Sequence, residues 1–119
     1  MRLPRRLKQV KWKRFFRFKW QKLTRGWDDS ETWCLRSPFA RFILPRLKRF
    51  KQLKAGHPCD ITAKEWDEIL DKMIFAFESL LEEENNPNYE EDVYEFNKRY
   101  KKIQEGLELF GKWYLSLWW

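Results

Sequence analysis

Cysteine, histidine and glycine are scarce in this chain: of 119 residues, two are Cys, one is His and four are Gly. Two cysteines, Cys34 and Cys59, are too few for a disulfide framework and point to reduced thiols in a cytosol. His57 and Cys59 offer only two metal ligands in one turn, where zinc takes four, or three and a water. No metal and no cofactor are therefore expected. A single histidine also leaves no material for a serine-type or cysteine-type catalytic arrangement. Asp67, Asp71 and Glu78 fall together at helical spacing, but the Glu-x-x-His pattern of di-metal bundles is missing. They read instead as a solvated acidic face or as partners for basic helices, and no enzymatic activity is expected. No Gly-rich phosphate loop, strand-like alternation, internal repeat or low-complexity segment is present. The strongly apolar stretch at Trp113–Trp119 is far short of the ~20 residues a membrane span needs. The N-terminus has no apolar core or small-residue cleavage site of a secretory signal.

Large rings and charge are abundant. Aromatic residues make up 18% of the chain, and eight of them are Trp. Large rings suit a small core and also suit binding surfaces. The net charge of +7 conceals a division along the chain. Residues 1–25 hold eleven Lys/Arg and no acid, and residues 26–55 hold seven Lys/Arg against Asp28, Asp29 and Glu31. Residues 56–119 hold seven Lys/Arg against fifteen Asp/Glu, so the two parts carry +15 and −8. Such a split marks either a basic surface for an anionic partner or two parts that neutralise each other by packing.

Periodicity predicts an all-α fold, a small bundle of four to five helices with a kinked second long helix and a long C-terminal one. At this length one domain is expected. Its organisation divides into a basic aromatic helix at 1–24 and a bundle at 25–119. The first helix runs from about Pro4 to Thr24 and stops at Gly26. Trp12, Phe16, Trp20, Leu23 and Trp27 share one of its faces. Asp28 or Asp29 caps a short helix to about Leu35. The next helix starts at Ser37-Pro38, kinks at Pro45 and ends near Lys54. Its apolar face reads as Phe39, Phe42, Ile43, Phe50 and Leu53, with Arg46 in the middle. A guanidinium there calls for an internal acid (Asp28, Asp29 or Asp71) or a ligand anion, unless Pro45 turns it outward.

Thr62-Ala-Lys-Glu65 is a capping box for a helix to about Glu83. Trp66, Ile69, Leu70, Met73, Phe77, Leu80 and Leu81 form its apolar face, and Phe75 lies among its charges. After the break at Glu84–Asn88, Asn88 caps a last helix from Tyr89 to Leu117. Val93, Phe96, Tyr100, Ile103, Leu107, Phe110 and Tyr114 make a heptad-like seam along it. Glu95–Arg99 and Glu108–Lys112 are expected i,i+4 pairs. Gly106 and Gly111 leave room for close backbone approach. Trp118 and Trp119 should dock on the domain or on a second copy.

Several of these runs also carry a resemblance. Arg25-Gly-Trp-Asp-Asp-Ser-Glu-Thr-Trp33, Arg41-Phe-Ile-Leu-Pro-Arg-Leu-Lys-Arg-Phe-Lys51, Glu65-Trp-Asp-Glu-Ile-Leu-Asp-Lys-Met-Ile-Phe-Ala-Phe-Glu78 and Lys102-Ile-Gln-Glu-Gly-Leu-Glu-Leu-Phe110 resemble a family of small uncharacterised bacteriophage proteins. The resemblance spans about residues 24–83 and 101–119 and leaves out the basic N-terminal arm. It implies a phage product acting in the cytoplasm of a bacterial host or packed in a virion. By analogy with small phage proteins of this size, an inhibitor, sponge or adaptor is implied, with host takeover or anti-defence as its setting.

Taken with the charge division, the expectation is a non-enzymatic module for a phosphate-bearing partner: RNA, DNA or a nucleotide. Lys11, Arg14, Arg17, Arg46, Lys48, Arg49 and Lys51 are the candidate phosphate ligands, and Trp27 and Trp33 the candidate stacking rings. The alternative is a protein-interaction module docking on a host or phage protein, or on a second copy, through Phe75, Trp118 and Trp119. A third reading, ranked below these, lays the first helix on an anionic membrane surface.

Overall fold

The computed structural model describes the backbone of residues 5–85 and 90–118 and the side chains of residues 12–85 and 90–118. Among these residues the fold is all-α, as the periodicity predicts. The chain forms two compact units, Met1–Leu35 and Arg36–Trp119, so the segment after Gly26 belongs with the first helix.

The first unit consists of α1, Arg5–Arg25, and a short 3-10 turn, Asp29–Thr32. Gly26 ends α1 with φ +85°, the left-handed conformation that only glycine adopts without strain, and its N–H reaches the Lys22 carbonyl at 3.0 Å. Asp28 then caps the turn. Its carboxylate accepts from the Ser30 N–H at 2.8 Å, while its own N–H donates to Glu31 Oε2 at 2.8 Å. The expected second helix is therefore a single 3-10 turn with a reciprocal capping box.

The second unit is a three-helix bundle of α2 (Arg36–Leu53), α3 (Ala63–Asn85) and α4 (Val93–Trp113), closed by a 3-10 turn at Tyr114–Ser116. α3 is the central helix and packs against both others. Thr62 caps it, its Oγ1 accepting from the Glu65 N–H at 3.2 Å. Its buried face is Trp66, Leu70, Met73, Ala76, Phe77 and Leu80, close to the face read from the sequence. Each fully buried large side chain contributes on the order of 1.5–3 kcal/mol. The three helices meet at an aromatic triangle of Phe39, Phe77 and Phe110, with centroids 5.3–6.1 Å apart in edge-to-face geometry.

Three expectations need correction. The buried face of α2 is Ala40 and Leu47, flanked by the part-buried Ile43, Leu44 and Phe50, whereas Phe39, Phe42 and Leu53 are exposed at 45%, 52% and 42%. Arg46 accordingly points outward, as the Pro45 alternative allowed. The helix continues through Pro45, which has no N–H to give the Arg41 carbonyl. The last helix is capped by Asp92, which accepts from the Glu95 N–H at 2.7 Å, and ends at Trp113. The expected Asn88 cap lies outside the described residues. Arg99 pairs with Glu83 and Glu91 across the α3–α4 connection instead of with Glu95.

Of the two glycines in α4, only Gly106 is in a tight place. A Cβ there would meet the Lys72 carbonyl oxygen at 2.4 Å and Ala76 Cβ at 2.6 Å, while nothing lies within 4 Å of one at Gly111. Gly106→Ala should therefore destabilise the bundle by about 1–3 kcal/mol through overpacking. Gly111→Ala should stabilise it by up to about 1 kcal/mol through helix propensity. Urea unfolding of both variants checks this pair of opposite signs.

Candidate functional site

The first unit places cations and rings on one short helix. The 3-10 turn covers one side of α1. Asp29 Oδ2 accepts from Gln21 Nε2 at 2.8 Å, and the Asp29 N–H returns a bond to Gln21 Oε1 at 2.9 Å. Arg25 reaches the same carboxylate at 2.6 Å, and the Trp33 ring meets Phe18 edge-on at 5.8 Å. At 100° per residue the opposite side carries Trp12, Phe16, Trp20 and Leu23. These side chains are 60–81% exposed.

The cations are arranged around this. Arg14 lies 5.8 Å from the Trp33 centroid, Arg17 5.5 Å from Phe18, Lys19 4.5 Å from Phe15 and Arg25 3.7 Å from Trp27. Among the described cations of α1, only Arg25 forms an ion pair. Lys11 belongs to α1, but its side chain lies outside the described residues. Trp27 and Trp33 are exposed, each with an arginine on its ring.

The division into units sharpens the charge asymmetry. Residues 1–35 hold eleven Lys/Arg and three acids, a net +8, whereas residues 36–119 hold fourteen Lys/Arg and fifteen acids, a net −1. All of the excess positive charge therefore belongs to the first unit.

The basic residues of α2 have a different environment. Arg41–Glu84, Lys48–Glu78, Lys51–Asp71 and Lys54–Asp67 form an antiparallel ladder of ion pairs between α2 and α3, with N–O distances of 2.5–2.8 Å. Asp71 and Glu78, read from the sequence as a possible partner face for basic helices, hold lysines of α2, and Asp67 holds Lys54 just beyond its end. Arg46 donates to the Phe42 carbonyl at 2.7 Å and lies 3.8 Å from the Phe42 centroid; Arg49 donates to Gln52 at 3.0 Å. Hence Lys48 and Lys51 serve an internal interface, while Arg46 and Arg49 have no acid partner among the described residues.

No family model, curated protein or solved structure matches the chain.

Sequence reasoning missed a groove in the second unit. A cavity of about 1090 Å3 opens between the end of α3 and the start of α4, with Arg36 and Phe39 of α2 at its edge. Phe77, Phe96, Tyr100, Ile103, Leu107 and Phe110 form its apolar lining. Phe96 and Tyr100 stack with centroids 6.1 Å apart. Arg99 lies in the wall, held by Glu83 and by Glu91, whose side chain is only 7% exposed. The signal was in the α4 seam, which has more apolar positions than the bundle covers. Ile103 is 4% exposed, but Val93, Phe96 and Tyr100 are 76%, 45% and 56% exposed.

Elsewhere, Phe75 is 40% exposed with the Lys102 ammonium 6.0 Å from its ring. Trp118 is 77% exposed, so it does not dock on the domain, and Trp119 lies outside the described residues. Trp113 takes the inward position instead, edge-on to Trp66 at 5.8 Å. Both cysteines are exposed. Among the described residues no helix is long and apolar enough to cross a membrane, and no group of three His, Cys, Asp or Glu side chains is placed to hold a metal ion.

The turn of the first unit depends on ionised acids. The Ser30 hydroxyl bond holds Asp28 below its ordinary value, against the opposing effect of burial, with backbone N–H groups and the Lys22 charge assisting. Asp29 is held down by its bonds to Gln21 and Arg25. Carboxyls depressed in the folded state stabilise it above their unfolded value of about 3.9 and lose that contribution as pH falls through the lower folded values. Acidification from pH 6 to pH 2 should thus release the turn and shift Trp33 fluorescence. Asp28→Asn should weaken the turn already at pH 6 and diminish the acid-dependent step.

Proposed function

We propose that this protein is a non-enzymatic accessory protein that binds nucleic acid through its first unit. The single observation that carries the reading is the net +8 of residues 1–35 against −1 for residues 36–119. Cations at that density attract a phosphate backbone and release its counterions. α1 has 21 residues, about 31 Å at 1.5 Å per residue, which supports an extended polymer over a free nucleotide. Arg14, Arg17 and Lys22, with Lys11 further along the same helix, are the phosphate ligands of this reading. Trp27 and Trp33 offer ring faces beside arginines for unpaired bases. The resemblance to small bacteriophage proteins supplies a setting, the cytoplasm of an infected bacterial host, in which host takeover or anti-defence is the broader role.

The ion-pair ladder narrows the site. Lys48 and Lys51 are engaged with Glu78 and Asp71, so phosphate would have to displace those carboxylates. Arg46 and Arg49 remain candidates for secondary contacts. A second reading, docking on a host or phage protein, is favoured by the open groove of the second unit and by exposed Phe75 and Trp118.

The test is fluorescence anisotropy with a labelled single-stranded RNA and a DNA duplex across a range of salt. Log affinity should fall linearly with log salt, and the single strand should bind more tightly than the duplex. Arg14→Gln, Arg17→Gln and Lys22→Gln together should reduce the magnitude of the slope by about 2–3. Lys48→Gln with Lys51→Gln should leave the slope unchanged and lower the Tm. An unchanged slope in the α1 variant would overturn the assignment. Binding to anionic vesicles without binding to either nucleic acid would replace it with the membrane reading.

A further inference from the structure

We infer that the aromatic side of α1 anchors the protein to an anionic lipid surface, with the helix lying flat and its rings in the headgroup layer. The side in question is defined within the first unit alone. At 100° per residue Phe15, Trp12, Leu23, Phe16 and Trp20 fall within about 140° of one another, over roughly 17 Å of helix. The 3-10 turn, the other element of this unit, holds Gln21, Arg25 and Phe18 on the opposite side. The five apolar side chains are 48–81% exposed.

The rings of this stripe are turned on one another. Trp12 and Phe16 stack with centroids 5.7 Å apart and planes 30° apart. Phe15 meets Phe16 edge-on at 5.7 Å and Trp12 at 6.3 Å, and the Lys19 ammonium lies 4.5 Å from the Phe15 centroid. A base stacks on a ring face, and here neighbouring rings and an ammonium engage the faces. Leu23, the most exposed of the five, offers no ring at all. A hydrocarbon boundary makes no such demand, because apolar burial is non-directional.

Charge fixes the kind of surface. Residues 1–25 contain no acid. Lys13 borders the stripe beside Trp20, Lys22 borders it beside Phe15, and Lys19 falls inside it. Lysines so placed keep their ammonium groups in the polar layer while their stems lie along the rings. Trp and Phe flanked by Lys is the composition of an in-plane helix, drawn to anionic lipid by charge and held there by apolar burial. No described helix is long and apolar enough to cross a membrane, so the contact is in-plane. Arg14, Arg17 and Arg25 lie on the turn side of α1, clear of the lipid. The inference therefore goes beyond the nucleic-acid reading and assigns a second partner to a second side of the helix.

Flotation of the nuclease-treated full-length chain tests it, with vesicles of phosphatidylcholine alone and of phosphatidylcholine mixed with phosphatidylglycerol. The chain should float with the mixed vesicles, with a preference of about tenfold or more over the neutral ones. Phe16→Ser with Trp20→Ser should lower that partitioning by about tenfold or more and leave the helical circular dichroism spectrum unchanged. The same variant should keep the salt slope for RNA, since it removes no cation, so the two readings fail separately. Trp12→Ser with Leu23→Ser is the second stripe variant should the first lose its helical spectrum. A wild-type chain that stays in the soluble fraction overturns the inference. So does flotation that both stripe variants retain, because charge alone would then hold the helix, and so does equal flotation with neutral vesicles. A chain that does not float, but sediments as a dimer that the stripe variants abolish, overturns it in favour of a second copy.

Discussion

The approach of α4 to α3 at Gly106 governs the second unit. With no side chain at that position, the α4 backbone sits where a methyl group would strike the Lys72 carbonyl and Ala76. The contact brings Ile103 into the core and sets Phe110 against Phe77 at 5.3 Å, and Phe110 in turn meets Phe39 of α2. Core interiors are close-packed, so a contact this short fixes the neighbouring side chains as well. Packing is tight from Ile103 to Phe110 and open from Val93 to Tyr100. The groove is the open part of an interface whose other part is closed.

Electrostatics divides the labour between the units. In the second unit positive and negative residues nearly balance, and the ladder from Arg41–Glu84 to Lys54–Asp67 gives three basic residues of α2, and Lys54 just after it, carboxylate partners on α3. Exposed pairs of this kind add modest stability but fix the register of one helix on another. In the first unit the described cations outnumber the acids, and rings take up several of the guanidinium groups instead. An arginine resting on a Trp or Phe face keeps its charge and its outward donors.

The local grammar of the chain was legible residue by residue. Gly26 ended α1, Asp28 was one of two candidate caps for the turn that follows, Thr62 capped α3, and the α3 core face emerged nearly complete. Reading failed where the wheel had to be oriented by a neighbour. Phe39, Phe42 and Leu53 looked like the core of α2 because rings and leucine outweigh alanine in any hydrophobicity pattern. Ala40 and Leu47 are buried in their place because α3 packs closest there. The seam of α4 was visible, but the bundle covers it only from Ile103 to Phe110.

The sequence alone determined that the chain is helical, where most helices start and stop, and that its positive charge is gathered at one end. Those properties depend on caps, periodicity and composition, which act within a few residues. Only the tertiary structure decided which basic residues are occupied. Lys48 and Arg14 look alike along the chain, yet Lys48 meets Glu78 across a helix interface and Arg14 meets a Trp ring. It also decided which apolar positions stay open, because burial depends on how many helices surround a seam. That number is set by packing at contacts such as Gly106–Ala76 between residues distant in the chain.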